Sequence, residues 1–217
     1  MLAESLKGTD VVVESAGLRA LVGHPTTDET TRLALEHGLT SKVISAHRAR
    51  LASEEILGDA DLVLAMAREH RHAIVDLVPR RLRSTFTLRE LARLGHEATD
   101  AELAEAAAGS GDPHERLRRV LAFVSSLRGT IDPPPSAADD DVVDPYRRPW
   151  DTYLLSTSQL VPAIADVARV IRVAAGGVSV APPVAADIAS GPQGAATSGS
   201  TEPRVGTWAR TERHSWN

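Results

Sequence analysis

Cysteine is absent from all 217 residues. Without it there is no disulfide, no thiolate nucleophile and no Cys-ligated zinc in this chain. Aromatic residues make up only 3% against 42% hydrophobic content, so the core must be built mainly from Leu, Val, Ile and Ala. Lysine is nearly missing too, with only Lys7 and Lys42. Arginine supplies the remaining positive charge, a bias that a GC-rich coding sequence explains. The net charge of -5 gives no nucleic-acid-binding signature. No apolar run approaches the roughly 20 residues needed to cross a bilayer. Residues Met1 to Lys7 lack the basic start and apolar block of a signal peptide. These absences point to a soluble cytoplasmic protein with neither a nucleic-acid nor a membrane partner.

What is present reads as alternating elements. Met1 to Leu6 are the last turns of a helix, broken at Gly8. Asp10-Val11-Val12-Val13-Glu14-Ser15 is a β-branched run expected as a buried strand. Thr27 or Asp28 caps a helix to His37, stopped by Gly38. After an irregular stretch, Ser53 caps a short helix over 54–58. Asp61 to Met66 predicts a second strand, Arg68 to Val78 a helix closed by Pro79, and Ser84 to Leu88 a third strand feeding a helix over 89–94. Strands alternating with helices of about ten residues argue for an α/β domain with a parallel sheet. From Gly95 to Pro135 the pattern turns helical, read as an insertion over 95–135 that covers one edge. Asp100 and Asp112-Pro113 open its helices. Trp150 or Asp151 starts a long helix to about Val173, which Pro162 kinks or restarts. The domain is thus placed at 1–173. The remainder, 174–217, is rich in Gly, Ala, Pro and Ser and is expected to be a disordered tail. Trp208 and Trp216 fall in that tail.

Three groups of residues bear on chemistry. The eight histidines show no helical metal-ligand spacing; His70 and His72 stand two apart and face different ways, so neither a metal nor another cofactor is expected. Asp139-Asp140-Asp141 followed by Val142-Val143-Asp144-Pro145-Tyr146 is the most informative stretch. Pro145 biases Asp144 away from helical angles, giving an ordered loop. A carboxyl beside an aromatic ring and valines is suited to general-acid work. An ordinary Asp-Pro turn after a solvated acidic run fits the same residues. His47, in a loop before Arg48 and Arg50, reads either as a site residue or as a packed histidine bonded to a backbone carbonyl. Ser15 reads either as a site hydroxyl or as one satisfying a strand end.

Taken in order, Val13-Glu14-Ser15-Ala16-Gly17, Gly23-His24-Pro25, Leu35-Glu36-His37-Gly38-Leu39, Ala46-His47-Arg48-Ala49-Arg50, Ala60-Asp61-Leu62-Val63-Leu64-Ala65-Met66 and Asp144-Pro145-Tyr146 resemble the low-molecular-weight protein tyrosine phosphatase family. The resemblance covers roughly residues 1–173, with 95–135 and the tail outside the family core. It implies a four-stranded parallel sheet wrapped by helices, and hydrolysis of phosphotyrosine proteins or small phosphomonoesters through a cysteinyl-phosphate. Under it Asp144 is the general acid, Pro145 fixes its loop, Tyr146 forms the pocket rim, and Ser15 and His47 support the phosphate loop. The Cys-x5-Arg loop itself and the strand before it have no counterpart here, so the chain as it stands is expected to be inactive. In that reading Met1 is an internal methionine and the first strand is missing. A pseudophosphatase serving as an interaction module and an arsenate-reductase-like member of the same fold are the alternatives.

Overall fold

The computed structural model describes residues 1–176. Its sheet has two strands, β1 (Val63–Ala65) and β2 (Thr85–Thr87), paired in parallel with Val63 opposite Thr85, Leu64 opposite Phe86 and Ala65 opposite Thr87. Parallel strands need a long crossover. Here it is α5 (Arg68–Leu77) followed by a 3₁₀ turn over Pro79–Ser84. The four-stranded sheet implied by the resemblance is therefore reduced, among the described residues, to two strands.

The strand expected at 11–15 does not form. Its side-chain pattern is nevertheless that of a strand: Val11 and Val13 pack on the main core, while Val12 is 84% exposed. A β-branched run gives the alternation, but a strand also needs a ladder partner, and no strand among the described residues pairs with this one. Just past the run, Gly17 makes an isolated bridge to Leu51, donating to the Arg50 carbonyl at 2.9 Å and accepting from Ala52 at 3.0 Å.

Helices supply the rest. After α1 (Leu2–Ser5), α2 (Asp28–Glu36) is capped by Thr27, whose hydroxyl accepts from the Thr30 amide. The stretch read as irregular contains α3 (Ser41–Ala46), capped by Thr40. Its six residues are too few to show an apolar period. α4 (Glu54–Asp59) starts at Ser53 as expected.

α6 (Leu88–Glu97) begins directly from β2, and Thr87 and Glu90 form a reciprocal capping box. Its Leu88, Leu91, Ala92 and Leu94 are buried against α9 (Trp150–Ala174). The two helices approach closely at Gly95, where a Cβ would stand 2.6 Å from Val170 Cγ2. Val170 is β-branched and fully buried, so it has little room to yield.

The helical segment expected to cover an edge is central instead. α7 (Asp100–Ala107) and α8 (Pro113–Ser126) put Leu103, Ala107, Val120, Leu121 and Val124 into the same core as α6 and α9. Thr99, not Asp100, caps α7.

α9 runs unbroken through Pro162. The proline costs one N–H to the Ser158 carbonyl, while Ala163, Ile164, Val167, Ala168 and Val170 are buried just beyond it. No apolar run able to span a bilayer is expected from the sequence, and one helix departs from that expectation. Folded as one helix, α9 is long and apolar enough by length and composition to do so. Its C-terminal half is core against α1, α6, α7 and α8. Residues 177–217, with Trp208 and Trp216 and most of the expected tail, lie outside the described residues.

One surface link has a definite pH signature. His114 at the start of α8 sits 2.8 Å from the Asp61 carboxylate, and that hydrogen bond raises the imidazole above its ordinary value of 6.5. A raised folded value means the contribution to stability is complete below the unfolded value and is lost as pH rises through the folded one. Titration of the His114 ring by NMR is expected to give a midpoint above 6.5, returning toward it in Asp61→Asn. An identical midpoint in the two proteins would show that Asp61 is not the cause.

Candidate active site

In open α/β sheets, sites form outside the carboxyl ends of parallel strands. The loop over 139–146 is tied to that edge. The Val142 amide donates to the Met66 carbonyl at 2.7 Å, just past β1, and the Thr87 hydroxyl at the end of β2 donates to the Asp140 carbonyl at 2.6 Å. Arg89 donates to the Asp141 carbonyl at 2.8 Å, and the Val143 amide donates to Gln159 Oε1 on α9 at 2.9 Å.

The acidic run is therefore engaged rather than solvated. Asp139 accepts from the Ser136 amide at 2.9 Å in a short 3₁₀ turn over Ala137–Asp140. Asp140 receives a two-pronged contact from Arg93 at 3.1 and 2.9 Å. Asp141 accepts the Arg68 amide at 2.8 Å and the Arg68 guanidinium at 3.2–3.3 Å. The amide contact caps α5, whose own N-cap residue, Ala67, has no side-chain oxygen to offer. A helix N-terminus attracts anions, and here a carboxylate from 73 residues away occupies it.

Asp144 stands apart from these pairs. Its carboxylate is exposed and accepts the Tyr146 amide at 3.0 Å, an Asx turn. It borders a hollow of about 390 Å³ lined by Ala67, Arg68, Glu69, His70, Asp141 and Val142. Pro145 and Tyr146 follow on the rim, partly buried. Arg147, next along, holds φ 58°, a left-handed backbone that non-glycine residues adopt at a cost, and its guanidinium lies 5.5 Å from the Tyr146 ring centroid.

Ser15 and His47 lie on a separate pair of segments and do not line this hollow. The Ser15 carbonyl accepts Arg50 at 3.1 and 3.2 Å. His47 ends α3 with its ring exposed, its amide donating to Ile44 and its carbonyl accepting Arg48. The bridge at Gly17–Leu51 brings their two loops side by side.

Several residues around the loop give no sign of their role in the sequence. Tyr153 is buried on α9, stacked 6.2 Å from Trp150, and the Arg32 guanidinium of α2 lies 4.5 Å from the Trp150 ring. Burial holds the Tyr153 phenol above its ordinary value; a hydrogen bond with Thr27 opposes this, while the charges of Glu29 and Asp144 reinforce it. Arg68, Arg93 and Gln159 carry no local signal, because their partners are far away in sequence. Thr87 does have one: Thr87-Leu88-Arg89-Glu90 is a capping-box pattern.

That threonine ends a strand, caps a helix and anchors the loop. Thr87→Val is expected to destabilise the protein by about 2–3 kcal/mol, combining a lost cap with unsatisfied buried groups. Thr87→Ser, which keeps the hydroxyl, should retain most of the stability. Urea unfolding measures both, and a large loss in Thr87→Ser with little in Thr87→Val would place the effect in the methyl group instead.

Comparison with known proteins bears on this arrangement. The family model for low molecular weight phosphotyrosine protein phosphatase matches residues 2–129, a segment that includes Ser15 and His47 and ends before Asp144. A probable low molecular weight protein-tyrosine-phosphatase, EpsP of Ralstonia nicotianae, is 33% identical over 91 residues, covering 42% of this chain and 59% of the relative. The chain thus spans somewhat over half of that relative's length. The low molecular weight protein-tyrosine-phosphatase Wzb of Escherichia coli is 30% identical over 118 residues, 54% of this chain and 69% of Wzb. Among solved structures, the YwlE arginine phosphatase from Geobacillus stearothermophilus aligns with a TM-score of 0.50 at 23% identity, over 77% of this chain and 78% of that one; that likeness speaks for the fold. With more than half of its length matched by one family model, the chain belongs to the low molecular weight phosphotyrosine protein phosphatase family.

Proposed function

We propose that this chain carries the proton-donating half of a phosphomonoester hydrolase acting in the cytoplasm on phosphotyrosine proteins or small aryl phosphates. Joined to a Cys-x5-Arg phosphate loop, it completes the reaction in two steps. The thiolate attacks phosphorus, the P–O bond breaks, and Asp144 gives its proton to the leaving phenolate oxygen. Water then attacks the cysteinyl-phosphate, Asp144 takes up a proton from that water, and the S–P bond breaks to release phosphate. Ser15 and His47 support the phosphate loop in this reading, and Pro145 and Tyr146 shape the rim.

The observation that supports it is the contrast within the acidic run. Asp140 and Asp141 are neutralised by Arg93 and Arg68, while the Asp144 carboxylate opens onto a hollow at the carboxyl edge of the sheet. With no cysteine in 217 residues, the chain alone is expected to leave p-nitrophenyl phosphate untouched. This same absence favours a second reading, a non-catalytic interaction module. The test joins the N-terminal segment of Wzb that precedes the matched region to this chain. Turnover that depends on Asp144 supports the hydrolase. A well-folded chimera without turnover favours the module.

A further inference from the structure

Asp144 has no long-range hydrogen bond of its own, among the described residues, to set its place; its carboxylate accepts a local amide, that of Tyr146. Its position must be inherited from the residues before it. The last of these held from outside the loop is Val143, and the group holding it is the side-chain oxygen of Gln159, 2.9 Å from the Val143 nitrogen. One residue earlier, the Val142 amide is held by the Met66 carbonyl at 2.7 Å, and Val142 is buried. Asp141, one further back, is held through its side chain by Arg68 and through its carbonyl by Arg89.

These contacts come from α5, α6 and α9 and from Met66, just past β1. Gln159 sits three residues before Pro162, in the turn of α9 where the proline withholds a backbone donor from Ser158. Its amide side chain reaches out of the helix instead of lying along it. A glutamine at a half-exposed helical position has many rotamers open to it, and fixing one costs entropy. The hydrogen bond to the Val143 amide offsets that cost.

We infer that Gln159 is a positioning residue: with the Asp141–Arg68 contact behind it, it clamps residues 141–143 and sets where the Asp144 carboxyl stands. This rests on the reading of Asp144 as proton donor. It makes Gln159 a residue that touches neither substrate nor phosphate, yet controls protonation of the leaving group. The oxygen is the working atom, so glutamate should serve in place of glutamine, whereas methionine, of similar length and shape, should not.

The first measurement uses the 217-residue chain as it is. Amide hydrogen exchange of the wild type should show Val143 and Tyr146 protected together; a Val143 amide exchanging at the rate of an open loop would overturn the inference without any variant. In Gln159→Met the protection of both amides should fall about tenfold, the worth of one hydrogen bond, and Gln159→Glu should keep it. Loss confined to Val143, with Tyr146 unchanged, would mean that the clamp does not reach Asp144, and would also overturn it.

The second measurement uses the chimera with the Wzb segment. Gln159→Met should lower kcat/KM for phenyl phosphate by about ten- to a hundredfold through misplacement of the acid, with little change in kcat/KM for dinitrophenyl phosphate, whose leaving group needs no proton. A merely structural defect would slow both substrates alike. If Asp144→Ala slows phenyl phosphate and Gln159→Met does not, the positioning role is wrong and the acid is right. If Asp144→Ala itself has no effect, the acid assignment fails, and the exchange data still decide whether the clamp exists.

Discussion

Asp144→Ala, placed in the chain joined to a Cys-x5-Arg loop, is expected to slow phenyl phosphate hydrolysis by about a hundredfold or more, since a positioned proton donor contributes roughly 10²–10⁴. That factor corresponds to at least about 2.7 kcal/mol of barrier. The reason is chemical. An alkoxide or phenoxide is a poor leaving group, and the carboxyl removes that penalty by protonating the oxygen as the P–O bond breaks. The dependence on leaving group is therefore the decisive readout. As the phenol becomes more acidic the mutant's kcat/KM, which reports the first step alone, should converge on the parent's, and with dinitrophenyl phosphate the two should differ little. Asp144→Asn should resemble the alanine variant, because an amide keeps the Asx-turn acceptor to Tyr146 but has no proton of suitable acidity to give. An equal loss of kcat/KM across all leaving groups would show that Asp144 supports the loop rather than proton donation to the leaving group; kcat, which includes the shared second step, does not discriminate.

How much of this is legible in the sequence depends on range. Thr27, Ser53 and Gly38 are recognisable because caps and stops are decided within about four residues, and all three behave as expected. The Asp144-Pro145-Tyr146 turn is legible for the same reason. Val11 to Val13 mislead because side-chain alternation is local while a strand's hydrogen bonds are not. The acidic run misleads in the opposite direction. Its charges look solvated in sequence, but Arg68 and Arg93, 73 and 47 residues distant from Asp141 and Asp140 respectively, claim them. After Gly95, the spacing of Leu117, Val120, Leu121 and Val124 marks an apolar stripe, but the alanine- and glutamate-rich composition before it does not say whether the segment is core or cover. Only the packing of Leu103 and Val120 into the core shared with α9 does so. Short-range chemistry is visible; pairing across the fold is not.

Phe86→Ala is expected to lower the unfolding free energy by about 3–5 kcal/mol, the range for removing a fully buried aromatic ring. Phe86 is 0% exposed and is the largest fully buried side chain among the described residues. With aromatics so scarce in this sequence, no second ring lies ready to fill the void. The loss also propagates. The Arg128 guanidinium lies 4.5 Å from the Phe86 ring centroid and donates to Glu90 Oε1 at 2.7 Å, while Glu90 Oε2 accepts the Thr87 amide at 3.3 Å. Removing the ring thus slackens the capping box at the start of α6, next to the hydroxyl that anchors Asp140. The melting temperature should fall by roughly 6–20 °C for a domain of this size, and the urea midpoint should drop with the slope unchanged. Phe86→Leu, which refills most of the space, should recover most of the loss. A shift below about 0.5 kcal/mol for the alanine variant, the range of ordinary surface substitutions, would mean that the two-strand sheet is not the centre of the core that its burial makes it.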